Sequence, residues 1–337
     1  MEGARSMSST APVARVAVVI PCYKQAHFLG DAIESTLKQT LPPSEIVVID
    51  DGSPDDVYGV AARYPEVRYI RQRNQGLSAA RNTGIRSTTS ELLVFLDSDD
   101  RLLPHAIERG VTHHLRHPGC GFVAGRMHVI SADGSLLRRW QPFPVTNDNF
   151  AQLLINHCGI YPLTVMYRRS AIDAVGGGFD TSLRSAEDWD MDIRLARRFP
   201  FHLYNEPIAE YRKHGNNMTR NAPVMMKSII RVLQAQRDFT RRTPHLEPAR
   251  RKGIERVHGY FTEQVITQIH EDLAARRWRT ALGKSWMLLR VHPYVVVERV
   301  GLKWEKVALA RRKRGRRPAA ELERDRRAMA EMRRTAR

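Results

Sequence analysis

The chain contains a group of carboxylates that could bind a metal ion. Asp97, Asp99 and Asp100 lie within four positions, directly after the apolar run Leu92–Leu96. Carboxylates this close repel one another unless a positive charge neutralises them, and such a turn can hold Mg²⁺ or Mn²⁺ while substrate phosphates fill the remaining positions. The alternative is a polar loop whose carboxylates cap the next helix. Only the surrounding sequence can decide between the two.

Two further pairs of carboxylates occupy positions where chemistry is possible. Asp50 and Asp51 directly follow the run Glu45–Ile49, and Glu187 and Asp188 stand at the predicted start of a helix. A carboxylate in the first turn of a helix can simply interact with the helix dipole. Beside a hydroxyl nucleophile, the same group can take a proton during attack. The residue types alone leave both interpretations open.

Short apolar runs alternate with helical stretches in the first hundred residues. This order predicts a doubly wound α/β fold with buried parallel strands. In such sheets ligands bind outside the carboxyl ends of the strands, which is where both acidic turns lie. The predicted strands are Val16–Ile20, Glu45–Ile49, Val67–Ile70 and Leu92–Leu96, and the helical stretches between them include Phe28–Gln39 and Gly76–Ile85.

The rest of the chain predicts a mixed second half and a helical end. The pair Asp133 and Gly134 favours a hairpin turn. Val265, Ile269 and Leu273 have the i, i+4, i+8 spacing of one helix face, and no strand pattern is evident over the last third of the chain. The other predicted elements are a hairpin over Gly121–Leu137, a strand over Ile160–Tyr167 and a helix over Ala186–Phe199.

A series of motifs runs in order along the first two thirds of the chain. The motifs are Val18–Tyr23, Ser35–Gln39, Glu45–Asp56, Asn74–Gly84, Phe95–Asp100, Gly177–Asp180 and Ala186–Asp190. Their order and spacing resemble those of family-2 glycosyltransferases, over about Val16–Thr219. The resemblance implies the A-type glycosyltransferase fold, with a mostly parallel central sheet. It also implies the transfer of a sugar from a nucleotide donor to an acceptor.

The resemblance, together with the composition, divides the chain into five segments. Residues 13–115 are expected to form the nucleotide-sugar-binding half, and residues 116–220 the acceptor-binding half with the catalytic base. Residues 221–310 are expected to form a helical extension. Residues 1–12 and 311–337 are expected to be a flexible N-terminal tail and an Arg-rich tail.

By resemblance, the loop after the first strand binds the nucleotide. Pro21 and Tyr23 would lie against the nucleobase, and Asp51 would accept a hydrogen bond from it. Arg81 would line the same pocket. Family members usually have Asn after the tyrosine, whereas this chain has Lys24, so the local contacts of this loop are expected to differ.

The resemblance assigns the metal and the base to different side chains. Asp97, nearer the ribose, and Asp99, a direct ligand, would form the metal and diphosphate motif. His214 stands where some family members place a further metal ligand, and the alternative is a surface histidine in a polar loop. Asp188 would be the catalytic base. Mn²⁺ or Mg²⁺ would stabilise the leaving diphosphate, and a single displacement would invert the anomeric carbon.

The positive charge of the chain is concentrated at its C-terminal end. The formal net charge is +18, and residues 221–337 contain 29 Lys plus Arg against 12 Asp plus Glu. Such a region could bind nucleic-acid phosphates or an anionic membrane surface, or it could be a solvated tail. We favour the membrane over nucleic acid, because many members of the resembled family act on lipid-linked acceptors. The basic clusters include Arg241-Arg242, Arg250–Lys252, Arg276-Arg277 and Arg311–Arg317.

The composition restricts the compartment. The chain has 3 cysteines, too few for a disulfide framework, which favours a reducing environment. Residues 1–12 lack the apolar core of a secretory signal, and no run reaches the roughly 20 apolar residues of a membrane-spanning helix. We therefore expect a cytoplasmic protein that associates with the inner face of the cell membrane.

Two functional classes compete, and a third is disfavoured. The leading interpretation is a metal-dependent inverting glycosyltransferase that uses a UDP-sugar and modifies a carbohydrate or lipid-linked acceptor in polysaccharide, glycolipid or cell-envelope synthesis. The alternative is a catalytically silent module of the same fold with a basic tail for nucleic acid or membrane. All expected acidic positions are filled, which favours the enzyme. A nucleotidyltransferase normally has a glycine-rich basic phosphate loop after the first strand, which Cys22–Leu29 does not provide.

Overall fold

The computed structural model describes residues 14–139, 148–215 and 217–291. Within these residues, nine strands form one sheet. The strands are β1 (Val16–Cys22), β2 (Glu45–Asp50), β3 (Val67–Arg71), β4 (Leu92–Phe95), β5 (Arg101–Leu102), β6 (Phe122–Ser131), β7 (Leu136–Arg138), β8 (Val165–Arg168) and β9 (Phe201–Lys213). Their order is β3-β2-β1-β4-β8-β6-β9-β5, and β7 pairs with β6.

The helices of the described residues are interspersed with the strands as far as β9 and follow one another after it. They are α1 (Ala26–Leu37), α2 (Val57–Ala61), α3 (Leu77–Ser87), α4 (Ala106–Arg116), α5 (Asn149–Asn156), α6 (Arg169–Ala174), α7 (Glu187–Ala196), α8 (Ala222–Ala235), α9 (Arg237–Arg242), α10 (Glu247–Ala274) and α11 (Trp278–Val291). Helix α1 shows why they pack on the sheet. Leu29, Ala32, Ile33 and Thr36 are buried, and this spacing places them on one face of the helix.

One half of the sheet is parallel, and its inner strands are buried. All seven residues of β1 are buried, and β1 pairs in parallel with both β2 and β4, while β2 pairs in parallel with β3. Strands covered on both faces are apolar almost throughout, which is why the sequence pattern identified them. The carboxyl ends of β1, β2 and β4 therefore share one edge, and both acidic turns follow strands at that edge.

The other half of the sheet is mixed. Strand β8 pairs antiparallel with both β4 and β6. Strand β9 runs parallel to β6 and antiparallel to the short β5. Strands β4, β6 and β9 run in the same direction, so the end of β9 at Lys213 lies at the same edge as the end of β4. The next residue, His214, therefore lies near the turn that follows β4.

The predicted α/β alternation and the hairpin are confirmed, and two elements differ in length from the prediction. The hairpin of β6 and β7 turns at Gly134, whose φ is 89°. The strand predicted over Ile160–Tyr167 is shorter, because Pro162 begins a 3-10 turn that precedes β8. The helix predicted from Ala186 begins one residue later, since Ala186 adopts the left-handed conformation at the N-cap of α7.

The described residues fall into two compact units. The first contains the described residues up to Arg220 together with Lys227–Arg256, and the second contains Asn221–Met226 and the described residues from Val257 onwards. In the second unit, the predicted helix face is buried at Val265 but exposed at Leu273. None of the described helices is long and apolar enough to span a membrane.

Several predictions concern residues outside the described part of the chain. They are the N-terminal tail 1–12, the Arg-rich tail 311–337 with its cluster Arg311–Arg317, and residues 292–310 of the helical extension. The three cysteines are all described. Cys22, Cys120 and Cys158 are buried and free.

Candidate functional site

Two buried arginines support the acidic turn after β4. Oδ1 of Asp97 accepts a hydrogen bond from Nη2 of Arg81 at 2.7 Å, and the Asp97 side chain stays 30% exposed. Oδ1 of Asp100 accepts one from the backbone N–H of Arg212, also at 2.7 Å. The guanidinium of Arg212 in turn donates to the carbonyl of Asp99 at 2.8 Å. The repulsion among the three carboxylates is thus offset by positive charges of the chain itself.

Asp100 is the innermost carboxylate of this turn. Burial raises its pKa well above the ordinary value, and the charges of Asp99 and Asp97 act in the same direction. Its Oδ2 is buried and has no hydrogen-bond partner among the described residues. Asp100 therefore supports the turn from inside, whereas the Asp97 side chain stays partly exposed.

Three distant segments meet at Asp99. Nε2 of His214, just after β9, lies 2.8 Å from Oδ2 of Asp99, and the two side chains are only 9% and 10% exposed. Gln25, at the N-cap of α1, donates to the same oxygen at 3.1 Å. His214 is thus a partner of the acidic turn, and its side chain is largely buried. Its role as a metal ligand stays a prediction.

The residues at this turn fit a divalent cation. Among the described residues, no donor bonds to Oδ2 of Asp97 or to Oδ1 of Asp99. These oxygens and the imidazole of His214 are donors of the kind that Mn²⁺ and Mg²⁺ accept. Asp99 and His214 are already in contact, whereas Asp97 is bound to Arg81 through its other oxygen.

Arg81 connects the acidic turn to the start of α7. Its side chain is 1% exposed and donates to Oε1 of Glu187 at 2.6 Å as well as to Asp97. Burial alone would lower the pKa of Arg81, but the charges of Asp97 and Glu187 outweigh that effect and raise it. The guanidinium therefore stays protonated. Arg81, which the resemblance placed in the nucleotide pocket, lies between the metal motif and the helix of the expected base.

The first turn of α7 holds two carboxylates in different environments. Burial raises the pKa of Glu187 to about 6, against the opposing charge of Arg81. Asp188 is half-buried, and none of the described residues donates a hydrogen bond to its carboxylate. Its negative charge adds to the effect of burial in raising the pKa of Glu187. A half-buried carboxylate without a protein donor can accept a proton from a bound hydroxyl.

A buried network lies one helical turn beyond Asp188. Asp192 accepts a hydrogen bond from the hydroxyl of Tyr167 at 2.8 Å, and its other oxygen lies 2.8 Å from Nε2 of His157. The His157 ring stacks on Trp189, with centroids 4.9 Å apart. Positions i and i+4 share a helix face, so this network fixes the orientation of the face that presents Asp188.

Asp51 ties the end of β2 to the start of α3. It is 3% exposed and accepts hydrogen bonds from the backbone N–H groups of Gln75 and Gly76, at 2.9 and 2.8 Å. The side chain of Gln72 donates a third at 2.7 Å. A carboxylate accepts about four hydrogen bonds, so the protein fills most of the capacity of Asp51.

The loop after β1 leaves an aromatic side chain accessible. Pro21 is buried, whereas Tyr23 is 42% exposed. Lys24 adopts the left-handed conformation, with a φ of 59°, and its backbone N–H donates to Oγ of Ser53 at 2.6 Å. Asparagine tolerates this conformation better than lysine does, which gives a physical reason for the Asn that the resembled family usually has here.

A side-chain clamp holds the glycine-rich segment against α3. Asn82 donates to the carbonyl of Phe179 at 2.9 Å, and its Oδ1 accepts from the backbone N–H of Phe179 at 2.7 Å. A Cβ atom added to Gly178 would lie 2.4 Å from Oδ1 of Asn82. Glycine is therefore required for this close approach, which also places the Phe179 ring 5.4 Å from the Arg81 guanidinium.

The sequence interpretation missed several residues that organise the site. Asp192 had a detectable signal, because it follows Asp188 by one helical turn. Gln25 and Arg212 had none, since their partners in the acidic turn are more than 70 residues away. The predicted residues themselves fall into two groups. Asp97, Arg81 and the start of α7 lie together, while Pro21, Tyr23 and Asp51 lie at the ends of β1 and β2.

Comparisons with known proteins agree on one family. The family model described as "Glycosyl transferase family 2" matches residues 17–176. An uncharacterized glycosyltransferase of Nostoc sp. is 38% identical over 304 residues, which cover 82% of this chain and 86% of that protein. The chondroitin synthase of Escherichia coli is 29% identical over 209 residues, 60% of this chain. The match spans only 29% of the chondroitin synthase's own length.

Solved structures show the same fold. S. aureus TarS 1-349, crystallised in complex with UDP-GlcNAc, superimposes with a TM-score of 0.58 and 16% sequence identity, covering 82% of this chain and 81% of that one. The same TarS fragment in complex with UDP gives a TM-score of 0.52 and 18% identity, over 65% of each chain. The expectation of an A-type glycosyltransferase fold is confirmed.

Proposed function

Because the chain belongs to glycosyltransferase family 2, we propose that it moves a sugar from a UDP-sugar to an acceptor hydroxyl with inversion of the anomeric carbon. The observation that supports this most is the bridge through Arg81. It joins Asp97 of the metal motif to Glu187, the neighbour of Asp188. Arg81 thereby links the motif that would hold the leaving diphosphate to the helix turn that carries Asp188, which would activate the acceptor.

The donor would bind at the ends of β1 and β2. The exposed ring of Tyr23 offers a face for the nucleobase, and Asp51 has capacity for one further hydrogen bond from it. Pro21 would form the floor of this pocket. The complexes of TarS with UDP and UDP-GlcNAc support a uridine nucleotide as the donor for this chain as well.

Asp99 and His214 would hold Mn²⁺ or Mg²⁺, with Asp97 contributing on the ribose side. When bound, the ion supplies positive charge that stabilises the diphosphate as it leaves. The protein positions the ligands of the ion. Gln25 and His214 orient the carboxylate of Asp99, and Arg212 fixes the backbone of the turn by donating to the carbonyl of Asp99.

Asp188 would act as the catalytic base. As the oxygen–carbon bond to the acceptor forms and the bond to the diphosphate breaks, its carboxylate takes the proton of the acceptor hydroxyl. The helix that carries it is fixed at two points, by Arg81 at Glu187 and by His157 and Tyr167 at Asp192. A single base is enough, because the leaving group needs no proton when a cation neutralises it.

The acceptor would be a carbohydrate or a lipid-linked saccharide, in the synthesis of a polysaccharide, a glycolipid or another cell-envelope glycoconjugate. The basic C-terminal region would hold the enzyme at the anionic inner face of the cell membrane. Not every basic residue there is available for lipid, since Arg250 is 7% exposed and bound to Glu247 and Arg277 is bound to Asp272. Nucleic acid is not favoured as a partner.

The test measures UDP release from UDP-glucose, UDP-galactose and UDP-N-acetylglucosamine, with simple alkyl glycosides as acceptors and with Mn²⁺ or Mg²⁺. Asp188→Asn should lower kcat by about 10²- to 10⁴-fold, the usual contribution of a general base, and should leave binding of the nucleotide sugar unchanged. Asp190→Asn is the matched control, because Asp190 lies on the same helix and binds Arg194. Equal rates for Asp188→Asn and wild type would overturn the assignment of the base.

A further inference from the structure

A second group of possible metal ligands lies far from the acidic turn. His113 is in the last turn of α4, His117 is the C-cap residue of the same helix, and His202 is the second residue of β9. Strand β9 leads from His202 to His214, twelve residues away. Strand β9 bulges against β6, so the eleven steps from His202 to Lys213 lie beside only the eight from Val123 to Ser131. At about 3.3 Å per residue of β6, His202 and His214 are on the order of 30 Å apart. The three histidines are therefore at the opposite end of the sheet from the donor site.

The three imidazoles lie close together. One ring nitrogen from each of His113, His117 and His202 lies within 4.8 Å of the others, and no other group of three or more His, Cys, Asp or Glu does so in the part of the chain that the structure describes. Zn–N distances of about 2.0–2.1 Å place the ligands of one ion roughly 3.3 Å apart. Because the His117 and His202 rings stack 3.9 Å apart, binding one ion requires these rings to turn until their in-plane lone pairs point at it.

One ring nitrogen of this cluster lacks a partner within the described part of the chain. Nδ1 of His113 is buried and has no hydrogen-bond partner among the described residues. A buried nitrogen without a partner is unfavourable, and a metal at the cluster would give one of these nitrogens a ligand.

Aromatic and charged side chains surround these rings in the metal-free protein. Tyr204 stacks on His113 with centroids 4.0 Å apart, and His117 stacks on His202 at 3.9 Å. Oε1 of Glu206 lies 3.6 Å from Nε2 of His113. A carboxylate beside the second nitrogen of a ligating histidine commonly fixes its orientation, and Glu206 is itself held by Arg109 at 3.1 Å.

We propose that His113, His117 and His202 form a site for Zn²⁺, separate from the metal motif of the acidic turn. Three imidazoles and no hard oxygen ligand favour zinc and its late first-row neighbours over Mg²⁺ and Mn²⁺. The site joins the end of α4 to the start of β9 and leaves a fourth position for water. Its role is to stabilise this end of the sheet, and it takes no part in the sugar transfer.

The test strips the full-length protein of metal with a chelator and titrates it with Zn²⁺. Excess Mg²⁺ is present to compete for the acidic turn. Calorimetry should show one tight equivalent in wild type. Co²⁺ should give the visible absorption of a tetrahedral complex. His117→Ala and His202→Gln should each weaken Zn²⁺ binding by at least about a hundredfold, because even the loss of a group behind a ligand weakens binding by about 10- to 100-fold.

The controls separate a metal site from a simple stack of aromatic rings. His105→Ala removes an exposed histidine near the other end of α4 and should bind Zn²⁺ like wild type. Zn²⁺ should raise the Tm of wild type and of His105→Ala, but not that of His202→Gln. Circular dichroism of the metal-free variants confirms that they are folded. Wild type without a tight equivalent, or variants that retain it, would overturn the proposal.

Discussion

Nε2 of His214 lies 2.8 Å from Oδ2 of Asp99, although 115 residues separate the two in the chain. Both side chains are nine-tenths buried, so this contact belongs to the interior of the site. Removing the His214 side chain should therefore affect both metal binding and the orientation of Asp99.

His214→Ala should raise the Mn²⁺ concentration needed for half-maximal UDP release by about 10- to 100-fold. The reason is that the variant removes one metal donor and one of the side chains that orient Asp99, while Gln25 still donates to the same oxygen. A chelator should stop UDP release by the wild-type enzyme, and added Mn²⁺ should restore it. His105→Ala serves as the control. If both variants respond to Mn²⁺ as wild type does, His214 is not a metal ligand.

Glu187 should set the acid limb of the pH profile. Its pKa is raised to about 6, so the carboxylate is ionised above pH 6 and binds Arg81 as an ion pair, whereas below pH 6 it takes up a proton and that attraction weakens. We expect kcat/KM of wild type to fall as the pH drops through about 6. Glu187→Gln should be less active at pH 7 and should show this fall only at a lower pH. An unchanged acid limb in Glu187→Gln would contradict this role.

Lys24→Asn should stabilise the protein. The residue has a φ of 59°, and the left-handed conformation costs an ordinary side chain about 1–2 kcal/mol, less for asparagine. The backbone hydrogen bond to Ser53 does not depend on the side chain. Denaturant unfolding should therefore show a gain of up to about 1 kcal/mol for Lys24→Asn. Lys38→Asn, at a position with a φ of −86°, should show no gain, and equal effects would argue against the backbone explanation.

Gly178→Ala should weaken the clamp formed by Asn82. The new Cβ would approach Oδ1 of Asn82 to 2.4 Å, and an overpacked site typically costs about 1–3 kcal/mol. Gly259→Ala, in a helix with nothing within 4 Å of the added Cβ, should be neutral or slightly stabilising. Thermal unfolding compares the two. A Tm for Gly178→Ala equal to wild type would show that the clamp can relax at no cost.

The sequence predicted the sheet and the location of the acidic turns well, for one physical reason. Strands covered on both faces must be apolar, and the chain can turn only where they end. The apolar run Leu92–Leu96 therefore predicts a buried strand, and Asp97 directly after it marks the start of the turn. The strand near Ile160 was predicted too long, because the backbone restriction at Pro162 competes with an apolar pattern. Sequence patterns predict an element correctly where that element is determined by contacts between residues close in the chain.

The partners inside the site could not be predicted in this way. Arg81 was expected to contact nucleotide, yet its guanidinium is bound to two carboxylates of the protein. Arg212 gives no local signal of burial, since its burial depends on the packing of β9 beside the turn after β4. The i, i+4 spacing of His113 and His117 is visible in the sequence, but the approach of His202 follows only from the parallel pairing of β6 and β9.

Glu187 follows Arg81 by 106 positions in the chain. The arginine therefore lacks this partner until that segment has been synthesised. At about 5–20 residues per second, the ribosome needs roughly 5 to 20 s to add that segment. During this interval, packing of α3 around the guanidinium would bury a charge that lacks one of its two partners, which is strongly unfavourable. The N-terminal half of the nascent chain is therefore expected to reach its final packing only after α7 has been made.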